Sequence, residues 1–246
     1  MQLALEGISY HKPKHTVGQD IIGADLGPST IALVPREGEA SLSVFCEELV
    51  PDDMAIGNTI ILEKISYRAW QKQYGKSVGM RAPGMFVEHL KRIVARTGGT
   101  LIAVIPRQAK LSQFCHGCGR HVKKPLSQRW HVCSCGIGPV QRDLYSAFLA
   151  STLDPDHLIP SCAQAVVHWE ASETRLRAAH ERVQQRANEG HSLPRSMGWA
   201  RAGARRPSSL SEPTQEPALR LRHGRLEAWK DRSEPLLLEL GESSGK

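Results

Sequence analysis

The stretch from Gln108 to Asp143 constrains this chain more than any other. It holds two cysteine pairs, Cys115/Cys118 and Cys133/Cys135, on either side of a basic spacer, and it ends on Gln141-Arg142-Asp143. Two tight turns with two soft ligands each can close a tetrahedron around zinc that neither pair closes alone, so the spacing predicts a small zinc ribbon over residues 108–138. Gly119 and Gly136, one just after each pair, favour that reading over four small buried residues in a hairpin. Its role would be structural, since no open ligand position or general base accompanies it.

Of the six cysteines, four fall in this segment, and the start, Met1 to Glu6, has neither a basic nor an apolar signal region. Reduced metal-binding thiols are therefore expected rather than disulfides. Cys46 and Cys162 read as ordinary small apolar residues. No stretch is long and apolar enough to span a bilayer, so the expectation is a soluble intracellular protein without a membrane partner. A hydrophobic share of 40% in 246 residues is enough for one or two domains with a real core. The net charge of +7 points toward a polyanion, with a solubilising surface as the plainer alternative.

Residues 1–19 lack periodicity and read as a linker or the remnant of an upstream domain. Asp20–Leu26, Thr30–Val34 and Ser41–Leu49 read as three strands joined by short turns, an antiparallel meander. Asn58–Glu63 is a fourth β-branched run, and like the first it ends on an acid. In Ile65–Gly75, Lys64, Arg68 and Lys72 would share one helical edge and Tyr67, Trp70 and Tyr74 a neighbouring one. Such a segment suits a nucleic-acid strand, through phosphate contacts and base stacking, and equally suits a surface helix whose aromatics dock on the core. Pro83 opens a helix with Phe86, Leu90, Ile93 and Val94 on one face and a stop at Gly98-Gly99. Leu101–Ile105 is then a buried strand, and Asp143 opens a helix running to Ala150. The order predicts an α/β domain with a mixed sheet over 20–153 and the cysteine segment inserted in it. A helical extension at 154–188 would carry Val166, Trp169, Leu176, Ala179 and Val183. The Gly-, Pro-, Ser- and Arg-rich segment 189–246 would be a disordered tail.

Asp25 and Glu63 end strands and Asp143 begins a helix. Three carboxylates converging from separate elements can bind two divalent ions, which clamp a phosphodiester and activate water, the logic of RNase H-like nucleases. Each acid alone is more often a turn residue, so the weight lies in their joint order. Arg107, Lys110, Arg120, Lys123, Lys124 and Arg129 surround the cysteines, either to hold a nucleic-acid strand or as a solvated rim.

Gly23-Ala24-Asp25-Leu26-Gly27, Ile61-Leu62-Glu63-Lys64-Ile65, Leu111 to Gly119, Cys133-Ser134-Cys135-Gly136 and Arg142-Asp143 occur in the order of the three RuvC motifs and zinc ribbon of the TnpB (OrfB) family. Over roughly residues 20–151 the chain resembles these insertion-sequence proteins. They are labelled transposases and are similar to the nuclease half of type V CRISPR effectors. The resemblance implies an RNase H-like (RuvC) fold and a DNA-binding, RNA-guided endonuclease acting in transposition and DNA recombination. It assigns Asp25, Glu63 and Asp143 to Mg²⁺ or Mn²⁺ and the four cysteines to zinc, in the cytoplasm of a bacterial or archaeal cell with its nucleoid. Family members usually carry an N-terminal wedge and a helical recognition region. Only some twenty residues precede the first strand here, which implies a shortened chain: a subunit with a separately encoded guide-binding half, or a remnant that only binds nucleic acid. The family's second cysteine pair is generally Cys-x-x-Cys, so the Cys-x-Cys of this chain leaves His131 or His121 as a replacement ligand. Tyr145 stands where the family has an Asn, a polar neighbour of the carboxylates.

Overall fold

Apolar and β-branched residues fill the stretch from Asp20, and two strands form there: β1 (Asp20–Leu26) and β2 (Thr30–Pro35), joined by a turn in which Gly27 N donates to Thr30 O at 2.7 Å. The computed structural model describes residues 18–45 and 57–198. Cys46, most of the expected linker, the end of the third expected strand and residues 199–246 lie outside them. Strands β3 (Ser41–Val44), β4 (Gly57–Glu63) and β5 (Thr100–Val104) complete a five-stranded sheet in the order β3-β2-β1-β4-β5. The first three strands are antiparallel neighbours, while β4 runs parallel to β1 and β5 parallel to β4. The chain is thus α/β with a mixed sheet, as its element order predicts.

Between β4 and β5 lie helices α1 (Tyr67–Arg81), which kinks at Tyr74, and α2 (Pro83–Thr97), which has proline in its first turn and ends at Gly98 with φ 71°. After β5 come the short α3 (Pro106–Ala109), the cysteine segment with its small β6 (Trp130–His131)/β7 (Val140–Gln141) pair, α4 (Arg142–Ser151) and the long α5 (Cys162–Asn188). No helix among the described residues is long and apolar enough to cross a membrane.

The period-2 alternation of the strands separates two cores. Ile22, Ala24 and Leu26 of β1, Ile31 and Leu33 of β2 and Ile60 and Leu62 of β4 pack with Val87, Leu90 and Val94 of α2. Ala32, Val34 and Ile61 face the other way, onto Leu144, Ala147 and Phe148 of α4 and Leu176, Ala179 and Val183 of α5. Burial of each large aliphatic or aromatic side chain stabilises the fold by roughly 1.5–3 kcal/mol, so the fully buried Leu144, Phe148 and Leu149 bind α4 firmly to the sheet.

Two expectations are corrected here. Val166 is 56% exposed, because α5 presents Ala165 rather than Val166 to the core. Residues 189–198, expected to open a disordered tail, are packed: Leu193 and Met197 are buried in the α4/α5 core and Arg195–Met197 form a 3-10 turn. The sequence signal there is only two isolated apolar residues, and their burial depends on a partner surface far away in the chain.

Candidate functional site: a carboxylate cleft beside a four-cysteine cluster

Asp25 and Glu63 reach the same place through strand register. Gly23 pairs with Ile61 and Ala24 with Leu62 across the parallel β1/β4 ladder, so the next step places Asp25 beside Glu63 at the carboxyl ends of both strands. Alternation puts both on the face covered by α4, whose first turn holds Asp143. Contact between that face and α4 is close because Gly23 has no side chain. A Cβ there would stand 1.9 Å from Ala147 O and 2.4 Å from Ser151 N. Gln141 caps α4, its Oε1 accepting from Leu144 N at 2.7 Å, which fixes the turn that carries Asp143.

The three carboxylates line one cleft of about 1140 Å³. Burial pushes the Asp25 carboxyl well above the usual carboxylate range, and the negative charges of Asp143 and Glu63 push it further. Burial also raises Glu63, against a backbone hydrogen bond from Leu111. It raises Asp143 as well, against the opposing pull of Arg142, whose Nε lies 3.6 Å from Asp143 Oδ1. Burial thus raises all three acids, and Asp25 alone is also pushed up by the other two charges.

Of the expected nucleic-acid contacts, Lys64, Arg107, Lys123, Lys124 and Arg129 line the cleft, together with Trp70 and Tyr74 from α1. Arg68, Lys72, Lys110 and Arg120 are exposed residues outside its lining. Tyr67 and Trp70 pack edge to face at 6.1 Å and also lie against the α2 core, so the aromatic edge of α1 serves both packing and the cleft. Lys124 is less available than its charge suggests, since Nζ donates to Ser112 O at 3.3 Å and meets His131 Nδ1 at 2.6 Å. Among the lining residues to which the sequence reading gave no role are Arg142 and Ser146. Arg142 was legible only as part of an Arg-Asp motif, and Ser146 had a signal in its place one helical turn after Asp143.

Beside the cleft, Cys115, Cys118, Cys133 and Cys135 bring their Sγ atoms within 4.8 Å of one another. Sulfurs of Cys115 and Cys135 are 3.5 Å apart, and those of Cys118 and Cys133 are 3.6 Å apart. A zinc tetrahedron with bonds of about 2.3 Å has sulfur–sulfur edges of ~3.8 Å, so these residues could hold a metal such as zinc. Tight turns present them: Gly119 N donates to Cys115 O at 2.8 Å and Gly136 N to Cys133 O at 3.1 Å, with Gly119 and Gly136 at φ 69° and 96°. Arg120 donates to Ser134 Oγ at 2.6 Å and to Cys118 Sγ at 3.4 Å, and the bond to the sulfur helps hold the Cys118 thiol down to about 6. Burial instead pushes the Cys115 thiol up to about 12.

Neither histidine is drawn in as a replacement ligand. His121 lies against Phe114 with ring centroids 5.1 Å apart, and His131 is occupied with Lys124 and stacks on Tyr145 at 3.9 Å. Tyr145 is likewise no neighbour of the carboxylates. It is fully buried, and its hydroxyl accepts from His116 N at 3.1 Å and meets His116 Nδ1 at 2.8 Å. Two residues past Asp143 it has turned about 200° round the helix, away from the cleft and under the first cysteine turn. Compared with protein-family models and with curated proteins, the chain matches none.

Proposed function

We propose that this chain is the RuvC-like nuclease domain, with an inserted zinc ribbon, of a TnpB-type transposase-associated protein, and that it hydrolyses DNA phosphodiesters with Mg²⁺ or Mn²⁺. The observation that carries this reading is the meeting of Asp25, Glu63 and Asp143, from three separated elements, on one cleft with a cationic rim. Three antiparallel strands continued by two parallel ones agree with an RNase H-like layer. Hard carboxylate oxygens suit Mg²⁺ or Mn²⁺, as four thiolates suit zinc. Bound divalent ions would clamp the phosphodiester, activate a water and neutralise the leaving oxygen.

The chain's own residues then take distinct parts. Asp25, Glu63 and Asp143 hold the ions, and Lys64, Arg107, Lys123 and Arg129 meet phosphates along the cleft. Trp70 and Tyr74 offer stacking faces to unpaired bases, which favours a single strand. Arg142 donates to Gln128 O at 3.1 Å while lying beside Asp143, so it ties the basic spacer to the first turn of α4. A guide RNA and a separately encoded guide-binding half are the partners that the family resemblance adds.

The test is cleavage of single-stranded DNA by purified chain with Mg²⁺ or Mn²⁺, with and without co-purified RNA. Asp25→Ala or Asp143→Ala should lower the rate roughly 1000-fold, ~4 kcal/mol of barrier. One observation favours a second reading. Among the described residues the cysteines form a close metal-type group, and the three carboxylates do not gather into one. A chain that only binds nucleic acid would retain DNA in a salt-dependent way, cut nothing, and be indifferent to the Asp25→Ala change.

A further inference from the structure

A serine inside a helix ordinarily satisfies its hydroxyl by bonding back to a carbonyl three or four residues earlier. Two hydroxyls at the end of α4 do this: Ser151 Oγ donates to Phe148 O at 2.8 Å and Thr152 Oγ1 to Leu149 O at 3.0 Å. Ser146, on the same helix, does not. It is 3% exposed, its Oγ is buried, and no hydrogen-bond partner serves it. A buried hydroxyl left in this state keeps its full desolvation penalty, so the fold gains nothing from having serine there.

What surrounds Ser146 suggests the reason. It lies three residues after Asp143, on the same face of α4, and both line the cleft with Asp25. The contact of Gly23 with Ala147 and Ser151 sets β1 directly against α4. Asp25, two residues further along β1 and on the same side, then comes level with the preceding turn of the helix, which carries Asp143 and Ser146. The larger influences on the Asp25 carboxyl are burial and the two neighbouring acids, all upward, and then Arg142, downward. Ser146 is near enough to draw it down as well, although its hydroxyl makes no hydrogen bond.

We infer that Ser146 is a positioning residue of the divalent-ion site, its hydroxyl donating to the Asp25 carboxylate when that carboxylate takes a Mg²⁺ or Mn²⁺ ion. The inference rests on the carboxylate cleft being an ion site, as proposed above. Hydrogen bonds that orient a metal-binding carboxylate typically change metal affinity 10–100-fold, so the expected contribution lies at about 10-fold.

The experiment uses the full chain with its cysteine cluster zinc-loaded and Mn²⁺ as the probe. Free Mn²⁺ is followed by electron paramagnetic resonance in wild type, Ser146→Ala and Asp25→Asn, and each is melted without Mn²⁺. Ser146→Ala should bind Mn²⁺ about 10-fold more weakly while melting at or above the wild-type temperature, because it removes an unsatisfied buried hydroxyl and supplies a better helix former. Equal Mn²⁺ binding by wild type and Ser146→Ala, with binding lost in Asp25→Asn, would overturn the role of Ser146 and leave the ion site standing. Weaker Mn²⁺ binding accompanied by a lower melting temperature would overturn it too, as the mark of a packing residue. Failure of the wild type to bind Mn²⁺ would overturn the ion site and this inference together.

Discussion

The cysteine cluster and the carboxylate cleft lie side by side and are built in opposite ways. All four thiols come from one short segment, and two glycine-assisted turns bring their sulfurs within 4.8 Å. The three acids come from Asp25, Glu63 and Asp143 and meet only because a parallel strand pair and a helix crossing it have already assembled. Their electrostatics differ as well. Backbone and Arg120 donors lower Cys118 and Cys133, so part of the cysteine cluster is prepared for a cation. Burial raises all three acids, so the cleft resists carrying its charge alone. A local site of the first kind stabilises the chain around it, whereas a site of the second kind is sustained by the fold at some cost in stability.

The largest expected effect comes from breaking the local site. Cys115→Ser removes a buried ligand, and zinc content in freshly purified reduced protein should fall from about one equivalent to well under it. Loss of a structural metal ranks among the most destabilising single changes, on the order of 4 kcal/mol or more, and should appear in a thermal melt. Near-equal melting of the mutant and the parent would mean that the four cysteines do not hold a stabilising metal.

Gly23→Ala breaks the cleft without touching an acid. Its Cβ meets backbone, not a flexible side chain, so α4 must move off β1, at about 3 kcal/mol or more. Divalent-ion binding should weaken while zinc content stays unchanged, which would separate the two sites experimentally. A change in zinc content equal to that of Cys115→Ser would show that the sites are not independent.

Asp25→Asn should act in the opposite direction to both. A carboxyl whose folded value is raised keeps its proton longer in the folded state than in the unfolded one. Its contribution favours folding at low pH and is lost as pH rises from the unfolded value through the folded one. Removing that charge should therefore stabilise the metal-free protein at neutral pH, by on the order of 1 kcal/mol, with the gain disappearing in acid. Melting curves of the two proteins across pH check this, and destabilisation at neutral pH would contradict it. In the wild type, divalent-ion affinity should rise with pH over the same interval, since ion and proton compete for one carboxylate.

Much of this was legible in residue order, and the exceptions are physical. The sheet strands β1, β2, β4 and β5 lie where β-branched and alternating runs place them, and α2 lies between its proline and its glycines. Asp25 and Glu63 could be put on equivalent strand ends because a period of two is rigid. Tyr145, which stands where the family has an Asn, takes its direction from a count round the helix and not along the chain. A residue two past Asp143 points away from it, into the aromatic group of His116, Phe148 and Trp169. By the same count Ser146 points back toward the cleft and was within reach of sequence reasoning. Leu193 and Met197 were not, because two apolar residues in a polar, proline-containing stretch have no periodicity to reveal them.

The contents of the two sites were thus set by sequence alone: which residues could serve as soft or hard ligands, and the local turns that group the cysteines. Such features depend on interactions over a few residues, where propensity and spacing act directly. The convergence of Asp25, Glu63 and Asp143, the diversion of Tyr145 into the support of the cysteine segment, and the unsatisfied hydroxyl of Ser146 were decided only by tertiary structure. Each depends on contacts between elements distant in the chain, above all the absence of a side chain at Gly23 that lets β1 and α4 meet.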